Sequence, residues 1–319
     1  MTKTLTKKKR LPIKTALTEM LNIDFPLIMA PMFLVTNTKM MIAAAESGIA
    51  GCIPALNFRT IEELEAGIKE IRSQTKGPIG INLIVNKSNI HAQKQLFKCL
   101  DLGVDFFITS LGSPEEVIKE ARKQNIKVLC DVTEENYAQK VQDLGADGII
   151  AVNSGAGGHR GNIPASVLVP RLKEKCHIPI ISAGGVGDGR GVLSMLSLGA
   201  DGLSVGSPFI ATRECGVSDD YKNACVDYHA QDIVVTTKLS GTPCTVINTP
   251  YVKKIGTQQN FLENVFQDSN NIDTKKIIAE AILNYSYEGK IAFQNLKDTL
   301  KGFDQIILKH IETPLIKYK

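Results

Sequence analysis

The feature that most constrains this chain is a set of eight short apolar runs, separated by polar segments with helical patterns. The runs are rich in β-branched residues and read as continuous hydrophobic stretches, which is typical of strands in a parallel sheet covered by helices. They span 26–32, 50–54, 78–85, 104–112, 126–132, 146–154, 178–185 and 200–209. Alternating strands and helices indicate an α/β fold, and eight such units are the number in a (β/α)8 TIM barrel.

A doubly wound sheet is the rival architecture, and two local patterns speak against it. A GxGxxG sequence after the first run would favour that sheet, but the chain reads Ala-Pro-Met-Phe over 30–33. A short repeat, Leu-Gly-Val/Ala-Asp, also stands directly before three of the runs, at 102–105, 144–147 and 198–201. In each copy we expect the glycine to adopt the left-handed conformation that ends a helix.

The length of the chain predicts a second part beyond the barrel. A barrel of this kind takes about 250 residues, and the chain has 319. After Phe209 the pattern changes to two short strands at 233–237 and 244–247, and then to polar, helix-like sequence from Asn260. We therefore expect a basic tail over 1–11, a barrel over 12–232 and a small, mostly helical C-terminal cap over 233–319. The cap could serve only for packing or as a lid over the barrel mouth.

Charge and cysteine usage limit the classes of partner. The net charge is +4, and removing the five cations among the first ten residues leaves −1. The basic character therefore belongs to the tail, which reads as a solvated segment or, alternatively, as an arm for nucleic acid or membrane. No apolar stretch is long enough to span a membrane. The seven cysteines form no CxxC pair, so the sequence predicts reduced thiols, no metal and a cytoplasmic protein without a nucleic-acid or membrane partner.

Glycines concentrate at the ends of the last three runs, where barrel enzymes place their sites. The sixth run leads into Gly155-Ala156-Gly157-Gly158-His159, and the seventh and eighth runs end in Gly-Gly and Gly-Ser pairs. Glycine lets the backbone approach a ligand and direct its N–H groups at an anion. We therefore expect Gly184, Gly185, Gly206 and Ser207 to form a phosphate cradle, the alternative being ordinary tight turns.

His159 is the candidate catalytic residue. It lies among glycines at a strand end, where neither burial nor helix packing calls for an imidazole. A neutral histidine there can accept a proton near pH 7. The other four histidines are expected to be surface or packing residues.

Three further positions at strand ends are candidate ligand contacts. Asn82 is polar within a buried apolar run, so its amide needs a partner, either a ligand or an internal network. Asp131 closes the fifth run and either faces the barrel mouth or caps the helix that follows. Ala30, Pro31 and Met32 close the first run and offer an apolar seat for a planar ring, or form a plain core turn.

Taken together, these motifs resemble one enzyme family. The Ala-Pro-Met, Gly-Ile-Asn-Leu, Ala-Gly-Gly-His-Arg-Gly, Ser-Ala-Gly-Gly and Val-Gly-Ser-Pro-Phe segments are similar to those of nitronate monooxygenases, formerly called 2-nitropropane dioxygenases. The resemblance runs from about Leu17 to Val252. Flavin-dependent enoyl-acyl-carrier-protein reductases share this architecture and a similar Gly-Gly-His loop, but the arginine at 160 looks more like the monooxygenases.

The resemblance implies an FMN-binding barrel in which His159 is the catalytic histidine. The FMN contacts carry over to Ala30, Pro31, Met32, Asn82, Gly157, Gly184, Gly185, Gly206 and Ser207, and we add Asp131 from its place at the mouth. The implied reaction oxidises a small nitronate with dioxygen to a carbonyl compound and nitrite, and a homodimer is compatible with it. Two alternatives are an NAD(P)H-dependent enoyl-acyl-carrier-protein reductase and a non-catalytic barrel that only carries a flavin or another phosphorylated ligand.

Overall fold

The computed structural model describes residues 13–86, 89–238 and 241–259, and it confirms the predicted barrel. Eight parallel strands close on themselves in the order β1-β2-β3-β4-β5-β6-β8-β9. These strands are β1 (Leu27–Met29), β2 (Ala50–Pro54), β3 (Ile79–Ile84), β4 (Phe106–Ser110), β5 (Lys127–Val132), β6 (Gly148–Val152), β8 (Ile180–Ala183) and β9 (Gly202–Val205). A further two-residue strand, β7 (Gly158–His159), lies in the loop after β6.

Helices separate the strands, as the alternating pattern predicts. They are α1 (Ala16–Leu21), α2 (Thr38–Glu46), α3 (Ile61–Gln74), α4 (Ala92–Asp101), α5 (Glu115–Arg122), α6 (Glu135–Leu144), α7 (Ala165–Lys175), α8 (Gly189–Ser197), α9 (Ser207–Ile210) and α10 (Asp219–Asp227), with a 3₁₀ turn at Ala55–Asn57. Apart from β2, which spans its whole run, the strands are shorter than the apolar runs. The last run was expected to reach Phe209, but β9 ends at Val205 and the chain turns at once into α9, with proline in its first turn.

The barrel interior is a packed apolar core that α1 extends at the N-terminal end. Leu17 of α1 is fully buried in the same cluster as Ile28, Ile108 and Leu129 from the strands. At the start of β9 a Cβ on Gly202 would lie 3.1 Å from Leu17 Cβ, so only glycine leaves room for this helix. The opposite, C-terminal end of the barrel is the end at which the ligand loops emerge.

The described residues divide into two compact units, the first ending at Ala230 and the second beginning at Gln231. In the second unit β10 (Ile233–Thr236) and β11 (Cys244–Ile247) form the two predicted short strands, paired antiparallel with Val234 opposite Val246. A short helix, α11 (Pro250–Ile255), follows. The helices predicted from Asn260 and the basic tail over 1–11 lie outside the described residues.

The Leu-Gly-x-Asp repeat fixes strand register. Its glycines take positive φ angles of 63°, 93° and 98° after α4, α6 and α8, which confirms the predicted left-handed helix ends. Each aspartate then brackets a residue at the start of the preceding strand, since its backbone N–H donates to the carbonyl of that residue and its carboxylate accepts the N–H of the same residue. Asp201 donates its backbone N–H to Ile180 O at 2.7 Å and accepts the N–H of Ile180 at 2.9 Å. Asp105 and Asp147 do the same to Ile79 and Val128.

The pair of hydrogen bonds between Asp201 and Ile180 leads to a prediction about stability. Asp201→Ala should lower the free energy of unfolding by about 2 kcal/mol, because the buried N–H of Ile180 loses its acceptor. Asp201→Asn keeps an acceptor oxygen and should cost less than half as much. Urea denaturation measures both. Lys173→Ala removes only the exposed ion pair with Asp201 and should cost less than about 1 kcal/mol. Equal losses for Lys173→Ala and Asp201→Ala would contradict the bracket.

Candidate active site

The glycine-rich loops after β6 and β8 meet backbone to backbone at the mouth of the barrel. Gly184 has a φ angle of +115°, and a Cβ added to it would lie 2.6 Å from Ala156 Cα and 2.8 Å from Gly155 C. Gly155 is confined to a lesser degree, because its Cβ would lie 3.0 Å from Gly185 Cα. Gly184 therefore admits no side chain, Gly155 admits one only if its neighbours shift, and the two loops form one surface of exposed backbone.

Asn153 ties these two loops together, and the sequence analysis did not single it out. Its side chain is buried, accepts the N–H of Gly155 at 2.7 Å and donates to Gly184 O at 3.1 Å. Its backbone N–H also donates to Ala183 O at 3.0 Å. The signal was present in the sequence, since an amide that ends an apolar run and precedes a glycine-rich loop needs partners.

The loops after β1, β6 and β9 lie against one another at the same end of the barrel. A Cβ on Gly206 would lie 3.4 Å from Met32 Sδ and 3.7 Å from Ala30 Cβ, and one on Gly157 would lie 3.4 Å from Ser207 Oγ. Pro31 lies between Ala30 and Met32 in the first of these loops. The structure thus brings together positions from the first, sixth and eighth runs that are far apart in the sequence.

The backbone surface has the chemistry of an anion cradle. At Gly185, with a φ angle of +76°, an added Cβ would meet only Gly155 Cα at 3.9 Å, so the space beside this peptide is open. Ser207 is the first residue of α9, where N–H groups have no acceptor within the helix. Glycines at 157, 185 and 206 leave open the volume that side chains would fill. These residues fit a phosphate group, and the apolar Ala30–Met32 loop beside them fits a planar ring.

On the other side of the mouth, β3, β4 and β5 place three polar side chains in a chain of hydrogen bonds. Asn82 Nδ2 donates to Ile108 O at 3.0 Å and to Ser110 Oγ at 2.8 Å, and the Ser110 hydroxyl donates to Asp131 Oδ2 at 2.5 Å. Ser110 was not among the predicted site residues. The alternative in which Asp131 caps the next helix is wrong, because α6 begins with Glu134 in the cap position and without a side-chain cap bond.

Burial makes Asp131 easier to protonate than an ordinary aspartate. Loss of solvent around the carboxyl raises its pKa to about 6, although the hydrogen bond from Ser110 acts in the opposite direction. Burial, together with the charge of Asp131, also raises the pKa of the Cys52 thiol on β2. The carboxyl group therefore lies against the barrel interior.

His159 lies on β7, two residues after Gly157, and its side chain is exposed to solvent. Partial burial nevertheless lowers its pKa below the usual 6.5, because desolvation disfavours the charged imidazolium. The imidazole is therefore mostly neutral at pH 7, with one nitrogen that donates and one that accepts. Over residues 13–86, 89–238 and 241–259, no group of three or more His, Cys, Asp or Glu side chains is placed to hold a metal ion, and no helix is long and apolar enough to cross a membrane.

Comparison with known proteins points to one group of enzymes. The sequence model of the nitronate monooxygenase family matches residues 14–297. A probable nitronate monooxygenase of Staphylococcus aureus is 29% identical and covers 76% of this chain and 80% of its own length. A variant of FabK from Thermotoga maritima is 32% identical with a TM-score of 0.71, over 76% of this chain and 80% of that one. The nitroalkane oxidase of Streptomyces ansochromogenes has the same fold, at 24% identity and a TM-score of 0.68 over 76% and 81% of the two chains.

The close approach of the two glycine loops can be tested by a glycine-to-alanine substitution, which adds one methyl group. Gly184→Ala should weaken the binding of flavin, with FMN as the probe, at least about tenfold, because the loops must separate and the left-handed backbone is strained. Gly103→Ala is the matched control, since its φ is also positive but an added Cβ meets nothing within 4 Å. It should cost about 1 kcal/mol of stability and leave FMN binding unchanged. Fluorescence titration with FMN distinguishes the two, and equal affinity in both variants would contradict the cradle.

Proposed function

The chain belongs to the nitronate monooxygenase family and is a flavin-dependent oxidoreductase, and on this premise we propose that it uses FMN to oxidise alkyl nitronates with dioxygen. The products are a carbonyl compound and nitrite, and nitroalkanes are further substrates. The observation that carries the proposal is His159, a histidine with a lowered pKa in a glycine-rich loop at the barrel mouth. A homodimer and a cytoplasmic location remain predictions from the sequence.

The residues at the mouth divide between holding the cofactor and handling the substrate. Gly184, Gly185, Gly206 and Ser207 would hold the FMN phosphate through backbone N–H groups, with Gly157 beside Ser207. The loop of Ala30, Pro31 and Met32 would pack on the ring, and Asn82 and Asp131 lie on the strands across the mouth. When bound, FMN would supply the redox chemistry, as the acceptor of electrons from the nitronate and their donor to dioxygen.

His159 has a different task for each form of the substrate. A nitronate is an anion, and the N–H of a neutral imidazole can donate a hydrogen bond to one of its nitro oxygens and orient it. A nitroalkane is neutral and must first lose a proton from the carbon next to the nitro group. The unprotonated nitrogen of the same imidazole can take that proton as a general base.

A second candidate function has its own support. The 32% identity with FabK from Thermotoga maritima is slightly higher than the 29% identity with the Staphylococcus aureus protein. An enoyl-acyl-carrier-protein reductase would draw its electrons from NAD(P)H and deliver them to an enoyl thioester at the same barrel mouth. The two functions differ in the electron donor, and this difference can be observed directly.

The first experiment mixes the FMN-loaded protein anaerobically with propionate 3-nitronate, without NAD(P)H, and records the visible flavin absorbance. We expect bleaching of the flavin band, then recovery with release of nitrite when air is admitted. A parallel mixture contains NADH instead, followed by an enoyl thioester. Bleaching by NADH alone, with no response to the nitronate, would move the assignment to the reductase.

The role of His159 as a base predicts that its substitution lowers activity unequally on two substrates. His159→Asn should lower kcat/KM for a nitroalkane by about 100-fold or more, since a general base contributes 10²–10⁴-fold. Turnover of the matching nitronate should fall less than about tenfold, because no proton is removed. In the unsubstituted enzyme the nitroalkane rate should fall only as the pH drops below 6.5, since the lowered pKa keeps the imidazole neutral above it.

His177→Asn is the control for this substitution, because His177 is an exposed histidine just before β8, at the other end of the barrel. It should leave both activities unchanged. Equal losses on nitroalkane and nitronate in His159→Asn would exclude the base role and leave His159 as a group that only orients the substrate.

A further inference from the structure

The uppermost interior layer of the barrel carries a polar chain that the reaction described above does not use. Asn82, Ser110 and Asp131 each follow an inward-facing residue by two positions along their strands, namely Gly80, Ile108 and Leu129. Side chains two apart on a strand share a face, so all three point into the barrel at its C-terminal end. Below them the interior is apolar.

The hydrogen bonds along this chain run in one direction. Asn82 uses its amide nitrogen for both bonds, one to the Ile108 carbonyl and one to Ser110 Oγ. The Ser110 hydroxyl therefore accepts a hydrogen bond from Asn82 and donates its own hydrogen bond to Asp131. Asn82 is therefore held with its amide nitrogen toward β4, and its oxygen is the atom it can offer to a ligand at the mouth. Only an acceptor at Asp131 keeps Ser110 in this orientation.

Asp131 is held in this chain without a neutralising cation. The groups that interact with it are the Ser110 hydroxyl on β4, the thiols of Cys52 and Cys130, and Tyr137 of α6. The Tyr137 hydroxyl donates to Gly112 O at 2.6 Å. In the described parts of the chain Asp131 takes part in no ion pair with lysine or arginine. Its charge, when present, therefore acts on whatever occupies the barrel mouth.

We propose that Asp131 is a positioning residue for the flavin ring, which fixes the Asn82 amide through Ser110 and sets the preference of the site for the oxidised over the reduced cofactor. The inference rests on the proposed FMN site. The phosphate cradle lies on β8 and β9, directly across the closed barrel from β3 and β4, and β5 is the neighbour of β4, so this chain would face the ring. Reduction adds negative charge to the ring, and a nearby carboxylate opposes it.

The protonation of Asp131 gives this effect a pH window. Burial raises the pKa of the carboxyl to about 6, so the negative charge is present above that pH and lost below it. Reduced FMN should therefore bind less tightly than oxidised FMN above pH 6, by a factor that shrinks as the pH falls. A purely structural aspartate would add no pH-dependent difference between the wild type and a variant that lacks the carboxyl.

The test measures the flavin midpoint potential and FMN affinity of the wild type and of Asp131→Asn, at about pH 7.5 and about pH 5. Asparagine can still accept the Ser110 hydrogen bond, so affinity for oxidised FMN should change less than about threefold. At the higher pH the variant should favour reduced FMN about tenfold more than the wild type does, which for a two-electron couple is about 30 mV more positive. At the lower pH the difference should fall below about twofold.

Two further variants keep the test decisive. Ser110→Ala keeps the Asp131 carboxyl but frees the Asn82 amide, so it should weaken binding of oxidised FMN by about five- to tenfold. The potential should still depend on pH, with the change moved to higher pH, because the hydrogen bond that lowers the pKa of Asp131 is lost. Asp143→Asn removes an exposed charge from the surface of α6 and should change nothing. A potential in Asp131→Asn equal to that of the wild type at both pH values, or a shift of the same size at both, would overturn the inference. So would unchanged FMN affinity in Ser110→Ala.

Failure of this inference can be distinguished from failure of the proposed function. A wild-type protein that binds no FMN would refute the cofactor proposal itself, and the inference with it. A protein that binds FMN but does not oxidise nitronates would refute only the proposed substrate, and the potentials and affinities could still be measured in full.

Discussion

The closure of the barrel between β1 and β9 is the constraint on which every other feature of the molecule depends. Leu27, Ile28 and Met29 pair in parallel with Leu203, Ser204 and Val205, so the first and last strands of the chain become neighbours. Closure forces all eight strand ends onto one rim, and only then do the loops after the first, sixth and eighth strands meet. The aspartate brackets at the opposite rim support closure by fixing which residue of each strand pairs with its neighbour.

At the rim, the two halves of the site are built by opposite means. On one side, β6, β8 and β9 continue into glycine loops whose approach is so close that Gly184 admits no side chain. These loops offer backbone donors, and Asn153 holds the two that follow β6 and β8 together through three hydrogen bonds. On the other side, β3, β4 and β5 offer side chains that bond to one another. A rigid backbone cradle suits a phosphate, whereas a titratable chain suits a ring whose charge changes during the reaction.

Placing the polar chain inside the barrel costs free energy of desolvation, and its position at the mouth explains why the chain is there. A half-buried carboxyl without a cation is harder to ionise, as the raised pKa of Asp131 shows, and apolar residues fill the layers below it. Residues that break the local pattern of a core are expected at functional sites. Asn82 had already been recognised as a polar residue in an apolar strand, but its partners could not be identified from the sequence, since Ser110 and Asp131 follow it by 28 and 49 positions, one and two strands further on.

The sequence by itself determined the class of fold, the number of barrel strands and the glycines that end the helices, because these depend on periodicity and on backbone conformations that few residues allow. It also marked His159 and the glycine loops as unusual. Only the tertiary structure decided the strand ends, the insertion of α1 into the barrel, the loop contacts at Gly184 and the direction of the hydrogen bonds from Asn82 to Asp131. These depend on which distant segments become neighbours when the barrel closes, and local pattern carries no information about such distances.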